Sequence, residues 1–190
     1  METETVAVKV LAISGSLRKD SDNRKALQHA KRLAAAAGAD VEELDLKTLA
    51  LPVYDGDLEV NGIPDSAKTL KKRVEAAQVL IISTPEYNHS VSGALKNAID
   101  WLTRDNTNSL AGKYAVILGV SVGIYGTVRA QAHLRQILTA LDVMILPQPQ
   151  VLIGPSATAF TADGALADTI VEGRLKTLIE KTLTTAERMR

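Results

Sequence analysis

Short, unbroken apolar runs rich in β-branched residues constrain this chain more than any other feature. They occupy residues 6–13, Val79–Ser83, Tyr114–Val120 and 143–146, and Val151–Ile153 continues the last run after a Gln-Pro-Gln break. Runs of this length without polar alternation suit strands buried on both faces, as in a parallel sheet. Residues 41–46 differ: Val41, Leu44 and Leu46 stand among acids, the pattern of an edge strand. Between the runs lie apolar stripes at helical spacing. They are Leu27, Ala30, Ala34 and Ala37, stopped by Gly38; Ala67, Leu70, Val74 and Ala77; Leu95, Ala98, Ile99 and Leu102, with Ser92 as N-cap; Leu134, Ile137, Leu138 and Leu141; and Leu175, Leu178, Ile179 and Thr182. Strands alternating with helices predict an α/β fold whose parallel sheet is covered on both faces. Five of each fit a doubly wound, flavodoxin-like sheet of order 2-1-3-4-5, although the pattern alone leaves a Rossmann order open.

At 190 residues the chain is expected to form a single domain over residues 1–190, large enough to bury roughly 70% of its unfolded surface. Only 3% of residues are aromatic, so the core is built from Ala, Val, Leu and Ile. Basic and acidic residues balance at 22 each, which offers no attraction to nucleic acid or to a membrane surface. There is no cysteine, which excludes disulfides, thiolate metal sites and a cysteine nucleophile. The acidic start, Met-Glu-Thr-Glu-Thr, lacks the apolar core of a signal peptide, so a cytoplasmic location is expected. The sequon at Asn88-His89-Ser90 is then a coincidence.

In open α/β sheets, ligands bind beyond the carboxyl ends of the strands, near the switch point in strand order. For order 2-1-3-4-5 that directs attention to the loops after strands one, three and four. The first, residues 14–23, combines Gly15, the short polar residues Ser14, Ser16, Ser21 and Asn23, and the fixed charge of Arg18 at the start of a helix. Such a helix start favours an anion, because its N–H groups are free and its dipole is positive there. The loop matches neither a Walker A nor a dinucleotide fingerprint, which argues against ATP or a dinucleotide at this place. These residues alone suit a phosphate loop or a polar turn capped by Ser21 or Asp22. The second loop, residues 84–90, is stiffened by Pro85, and its exposed N–H groups suit the edge of a flat heteroaromatic ring beside Tyr87; His89 reads as a solvated loop residue. The third loop, residues 121–127, holds Gly123 and Gly126, with Thr127 as the candidate N-cap of the next helix. The histidines His29, His89 and His133 lack metal-ligand spacing, so no metal site is expected. No serine-hydrolase elbow is present, and Trp101 reads as a packing residue.

Taken together, Gly15-Ser16-Leu17-Arg18 followed by Ser21 and Asn23 resembles the phosphate loop of the NAD(P)H-dependent FMN reductase family, close to its bacterial quinone and chromate reductase branch. Thr84-Pro85-Glu86-Tyr87-Asn88, then Ser90, Gly93 and the run from Leu95 to Trp101, is similar to that family's second signature. The resemblance implies that Ser16, Arg18, Ser21 and Asn23 hold an FMN phosphate. Pro85, Glu86, Tyr87 and Asn88 would line the isoalloxazine ring and ribityl chain, and Ser121 and Gly123 would close the far side. The sequence departs from the pattern at Tyr125-Gly126, where many relatives carry paired glycines, which puts Tyr125 on the substrate side. Ser92, where proline is usual, is a milder departure. The resemblance further implies ping-pong hydride transfer from NADPH or NADH through FMN to a small acceptor: a quinone, azo compound, metal oxyanion or free flavin. No protein acid or base is then required, since the cofactor carries the chemistry. Assembly as a homodimer or homotetramer is implied as well. The alternative is a flavodoxin-like electron carrier without turnover of its own; such carriers are markedly acidic, and this chain is neutral.

Overall fold

The computed structural model describes residues 6–189. Five parallel strands form one sheet: β1 (Lys9–Ser14), β2 (Asp40–Leu44), β3 (Val79–Ser83), β4 (Tyr114–Val120) and β5 (Val151–Ile153), in the order β2-β1-β3-β4-β5. The flavodoxin-like order is therefore the one adopted. Five principal helices cover the sheet: α1 (Asp22–Ala36), α2 (Asp65–Ala76), α3 (Gly93–Leu102), α4 (Val128–Ala140) and α5 (Thr169–Arg188).

The apolar runs work because side chains alternate between the two faces of a strand. Val10, Ala12, Val79, Ile81, Val116 and Leu118 pack with Leu27 and Ala30 of α1 and with Leu175, Leu178 and Ile179 of α5. The intervening Leu11, Ile13, Leu80, Ile82 and Ile117 pack on the other face with residues of α2, α3 and α4, including Leu70, Leu95, Trp101 and Leu134. A run apolar at every position is thus the signature of a strand with helices on both sides. β2 keeps the alternating burial of an edge strand. Gly38, with φ of +89°, follows α1 as expected for the residue that ends it.

One expectation is corrected and a second is refined. Residues 143–146 do not form the fifth strand: Met144 makes one parallel bridge to Tyr114, and only Val151–Ile153 pairs with β4 as a strand. Pro147 and Pro149 interrupt the segment between them, where a strand needs continuous N–H donors. Thr127 does take the N-cap position of α4 but makes no side-chain cap bond there, because its hydroxyl turns inward and accepts from Gln131 Nε2 at 3.1 Å. Two short helical turns, Leu46–Leu49 and Gly56–Val60, carry no apolar stripe that periodicity would reveal. The segment around them is pinned to α3, where Asn97 Nδ2 and Trp101 Nε1 both donate to the Pro52 carbonyl at 2.9 Å. Tyr54 meets the buried Trp101 edge-on, with ring centroids 5.2 Å apart. Trp101 is the packing residue its sequence context suggests.

Candidate functional site

β1 and β3 end side by side, with Ser14 opposite Ser83, and Gly15 N–H donates to the Ser83 carbonyl at 2.8 Å. A Cβ at Gly15 would lie 3.2–3.3 Å from side-chain atoms of Ser92, Leu95 and Pro85, so the missing side chain helps the first loop, the second loop and α3 converge this closely. Beyond this junction opens a cleft of about 390 Å³ at the carboxyl edge of the sheet. The loop after β1 contributes Ser16, Arg18, Ser21, Asp22 and Asn23; the loop after β3 contributes Pro85, Glu86 and Tyr87; and the end of β4 contributes Val120, Ser121 and Val122. Ser156, from the turn after β5, completes the wall, and its N–H donates to the Ser121 carbonyl. Eight of the residues expected from sequence therefore meet in one cleft. Asn88 sits at the tip of the second loop, and Gly123 and Tyr125 lie on the exposed third loop, outside the cleft lining. Asp22, Val120, Val122 and Ser156 were not expected; Ser156 had a signal in its position just after the fifth strand.

The floor of the cleft is set by α1. Ser21 is its N-cap and accepts from Asn23 N–H at 3.2 Å. Among the described residues, the N–H groups from Leu17 to Asp22 find no partner within the chain, and neither does the Ser16 hydroxyl. Ser16 and Ser21 are both buried. The Arg18 side chain is 68% exposed and only 3.8 Å from Asp22 at its nearest, so its guanidinium is free to swing over the cleft. Free N–H groups, a positive helix end, an unpartnered hydroxyl and a movable cation make a donor set that fits a phosphate group.

Asn23 is used differently. β3 pairs with β4 only as far as Ser83 and Leu118, which leaves Val120 without a neighbour on that side. Asn23 supplies one: its Oδ1 accepts from Val120 N–H at 2.9 Å, and its Nδ2 donates to the Val120 carbonyl at 2.9 Å. The carboxamide thus stands in for a peptide unit of the missing strand. Ser83 Oγ also donates to Oδ1, at 3.1 Å.

The second loop is a tight reversal in which Tyr87 and Ser90 exchange two backbone hydrogen bonds of 3.0 Å, with Asn88 and His89 both at positive φ. Tyr87 is left half-exposed beside the cleft. Glu86 points to the start of α4, where its Oε2 accepts from Arg129 N–H (2.9 Å) and Ala130 N–H (3.1 Å), and its Oε1 lies 3.2 Å from the Arg129 guanidinium. Burial raises the Glu86 carboxyl, but these donors outweigh it and hold the group below the usual carboxylate range. In the third loop, the Ser121 hydroxyl donates to the Gly126 carbonyl, closing the loop on itself. Val122, Ile124 and Tyr125 stand exposed along it.

A family model described as NADPH-dependent FMN reductase matches residues 8–158. An NAD(P)H-dependent FMN reductase of Pseudomonas aeruginosa is 45% identical over 161 residues, covering 85% of each chain. A 2-hydroxy-1,4-benzoquinone reductase from Burkholderia is 37% identical over 177 residues, covering 93% of this chain and 94% of its own. Among solved structures, the flavoenzyme NAD(P)H:(acceptor) oxidoreductase FerB of Paracoccus denitrificans superposes with a TM-score of 0.84 at 35% identity, over 96% of this chain and 98% of that one.

Proposed function

The chain belongs to the NADPH-dependent FMN reductase family and is an FMN-dependent NAD(P)H oxidoreductase; from that premise we propose that the cleft seats FMN with its phosphate on Ser16, Arg18, Ser21 and the N-terminus of α1. The observation that carries this reading is the set of free donors at one end of the cleft: the Leu17–Asp22 N–H groups and the unpartnered Ser16 hydroxyl. Bound FMN supplies the capacity to accept a hydride and pass it on, so no acid–base pair is required of the protein. The protein's own residues do the rest. Asn23 fixes the α1 start against β3 and β4, so the phosphate donors keep their spacing. Pro85 and the backbone of the second loop form one wall for the flat ring, with Tyr87 beside it and Asn88 at the tip of the turn. Ser121 and Gly123 hold the opposing loop, and Tyr125 faces the space left for the reacting partners.

That partner is a small molecule, and a quinone is the acceptor we propose, as in the name of the Burkholderia relative. Among the described residues no helix is long and apolar enough to cross a membrane. The protein is proposed to act in the cytoplasm as one FMN-binding domain that assembles into a homodimer or homotetramer. Either NADH or NADPH is the proposed hydride donor, as in the name of the Pseudomonas aeruginosa relative.

The test is FMN titration of Arg18→Ala, followed by steady-state NAD(P)H oxidation with 1,4-benzoquinone. Loss of one charge-assisted bond should weaken FMN binding by about one to two powers of ten. Unchanged affinity would overturn the phosphate assignment, and flavin binding without turnover would point to an electron carrier.

A further inference from the structure

Helix α4 begins without a cap of its own. Thr127 stands at its N-cap position, yet its side chain is buried and points at β4: a Cβ on Gly119 would fall 2.1 Å from Thr127 Oγ1. The N–H groups that an N-cap normally satisfies are those two and three positions further on, here Arg129 and Ala130. Both are taken by Glu86, from a loop 43 and 44 residues earlier in the chain. One turn along the same helix, His133 Nδ1 lies 3.0 Å from Ser90 Oγ, at the other end of that loop's reversal. The reversal after β3 is therefore fastened to α4 at two successive turns. The third loop, residues 121–127, is strung between β4 and this fastened helix start.

We propose that Glu86 is a positioning residue whose carboxylate staples the reversal after β3 to the first turn of α4, and so fixes the spacing between Tyr87 and the 121–127 loop that receives the electron acceptor. Glu86 lines the cleft, but its carboxylate oxygens are committed to α4. Its charge also complements the positive end of a 13-residue helix. Removing it leaves the reversal tied to α4 by the Ser90–His133 contact alone, one turn further along, and leaves the helix start that anchors the 121–127 loop without its cap. The part of this inference that concerns the acceptor rests on the function proposed above; the staple itself does not.

The experiment uses the full chain loaded with FMN, as wild type, Glu86→Ala and Glu86→Gln. It combines benzoquinone kinetics, FMN titration and amide hydrogen exchange over residues 84–90 and 121–131. In Glu86→Ala, exchange at Arg129 and Ala130 should accelerate about tenfold or more, because two charge-assisted bonds are lost. The benzoquinone KM should rise about fivefold or more, and by a larger factor than either kcat or FMN affinity falls, as expected when the loosened wall is shared with the cofactor but the phosphate donors remain. Glu86→Gln keeps an acceptor oxygen for the two N–H groups, and should restore most of the exchange protection and of the KM. If Glu86→Ala does not accumulate as folded protein, Glu86→Gln carries the test through loss of the Arg129 ion pair, with an expected rise in exchange at residues 129–130 of about twofold to fivefold. Unchanged exchange at those residues overturns the staple. An FMN affinity that falls more than about tenfold in both variants, with KM unaltered, makes Glu86 a cofactor contact instead. The exchange measurement needs no turnover, so it still judges the staple if the proposed oxidoreductase assignment of the cleft fails.

Discussion

Replacing Asn23 by alanine removes three hydrogen bonds that converge on one carboxamide, and the structure allows the cost to be worked out. The Val120 N–H and carbonyl and the Ser83 hydroxyl all lose their partner, and these residues are almost wholly buried. Each buried polar group left unsatisfied costs about 1–3 kcal/mol. Water entering from the adjoining cleft recovers part of that, so a net loss of about 3–5 kcal/mol is expected. For a chain of this size, that lowers the melting temperature by roughly 6–20 °C. Urea unfolding followed by the fluorescence of Trp101, the only tryptophan, reads the change directly. Asn23→Asp is the informative partner: it keeps an acceptor for Val120 N–H but sets a carboxylate oxygen against the Val120 carbonyl, and should be no more stable than the alanine variant. FMN affinity should fall less in Asn23→Ala than in Arg18→Ala once only folded protein is titrated. A stability loss below about 1 kcal/mol, with FMN binding as weak as in Arg18→Ala, would refute the reasoning and make Asn23 a phosphate ligand.

Further outcomes follow from packing and charge. Gly119→Ala would place its Cβ 2.1 Å from Thr127 Oγ1 and 2.3 Å from the Thr84 carbonyl oxygen; the backbone oxygen cannot swing aside, and thermal unfolding should show a loss of about 2–3 kcal/mol. On the β2 edge, Lys31 and Gln28 bind Glu43 and Arg24 binds Asp45. Burial raises both carboxyls, but the hydrogen bonds from Lys31, Gln28 and Arg24 and from the Lys47 N–H prevail and hold them below their ordinary values of 4.5 and 3.8. A carboxyl depressed in the folded state stabilises above its unfolded pKa, and that contribution disappears as pH falls through the folded value. The urea midpoint of wild type should therefore exceed that of a Glu43→Gln/Asp45→Asn variant at neutral pH, and the two should converge as pH drops below the ordinary carboxylate range.

Strand positions, helix stripes and the location of the cleft were legible in the sequence because each rests on burial, which repeats with a local period. The all-apolar runs at Val79–Ser83 and Tyr114–Val120 could only lie between two layers of helices, and the polar loop at residues 14–23 stood where such a sheet admits a ligand. Even the errors were local. The run at 143–146 is as apolar as a strand, but it precedes Pro147, and only Val151–Ile153 finds continuous pairing with β4.

Partnership of polar side chains was decided by the tertiary structure alone. Asn23 and Glu86 stand in motifs that suggest contact with a ligand, yet Asn23 completes the open flank of β4 across 97 residues of sequence, and Glu86 caps a helix that begins beyond the next strand. No periodicity encodes such choices, because a carboxamide or carboxylate bonds whichever unsatisfied backbone group the packed core leaves within about 3 Å. The sequence by itself determined which surfaces are buried and which loops meet at the sheet's carboxyl edge. Only the assembled sheet decided which of those loop residues remain free for a ligand, because the end of β4 and the start of α4 were already short of partners.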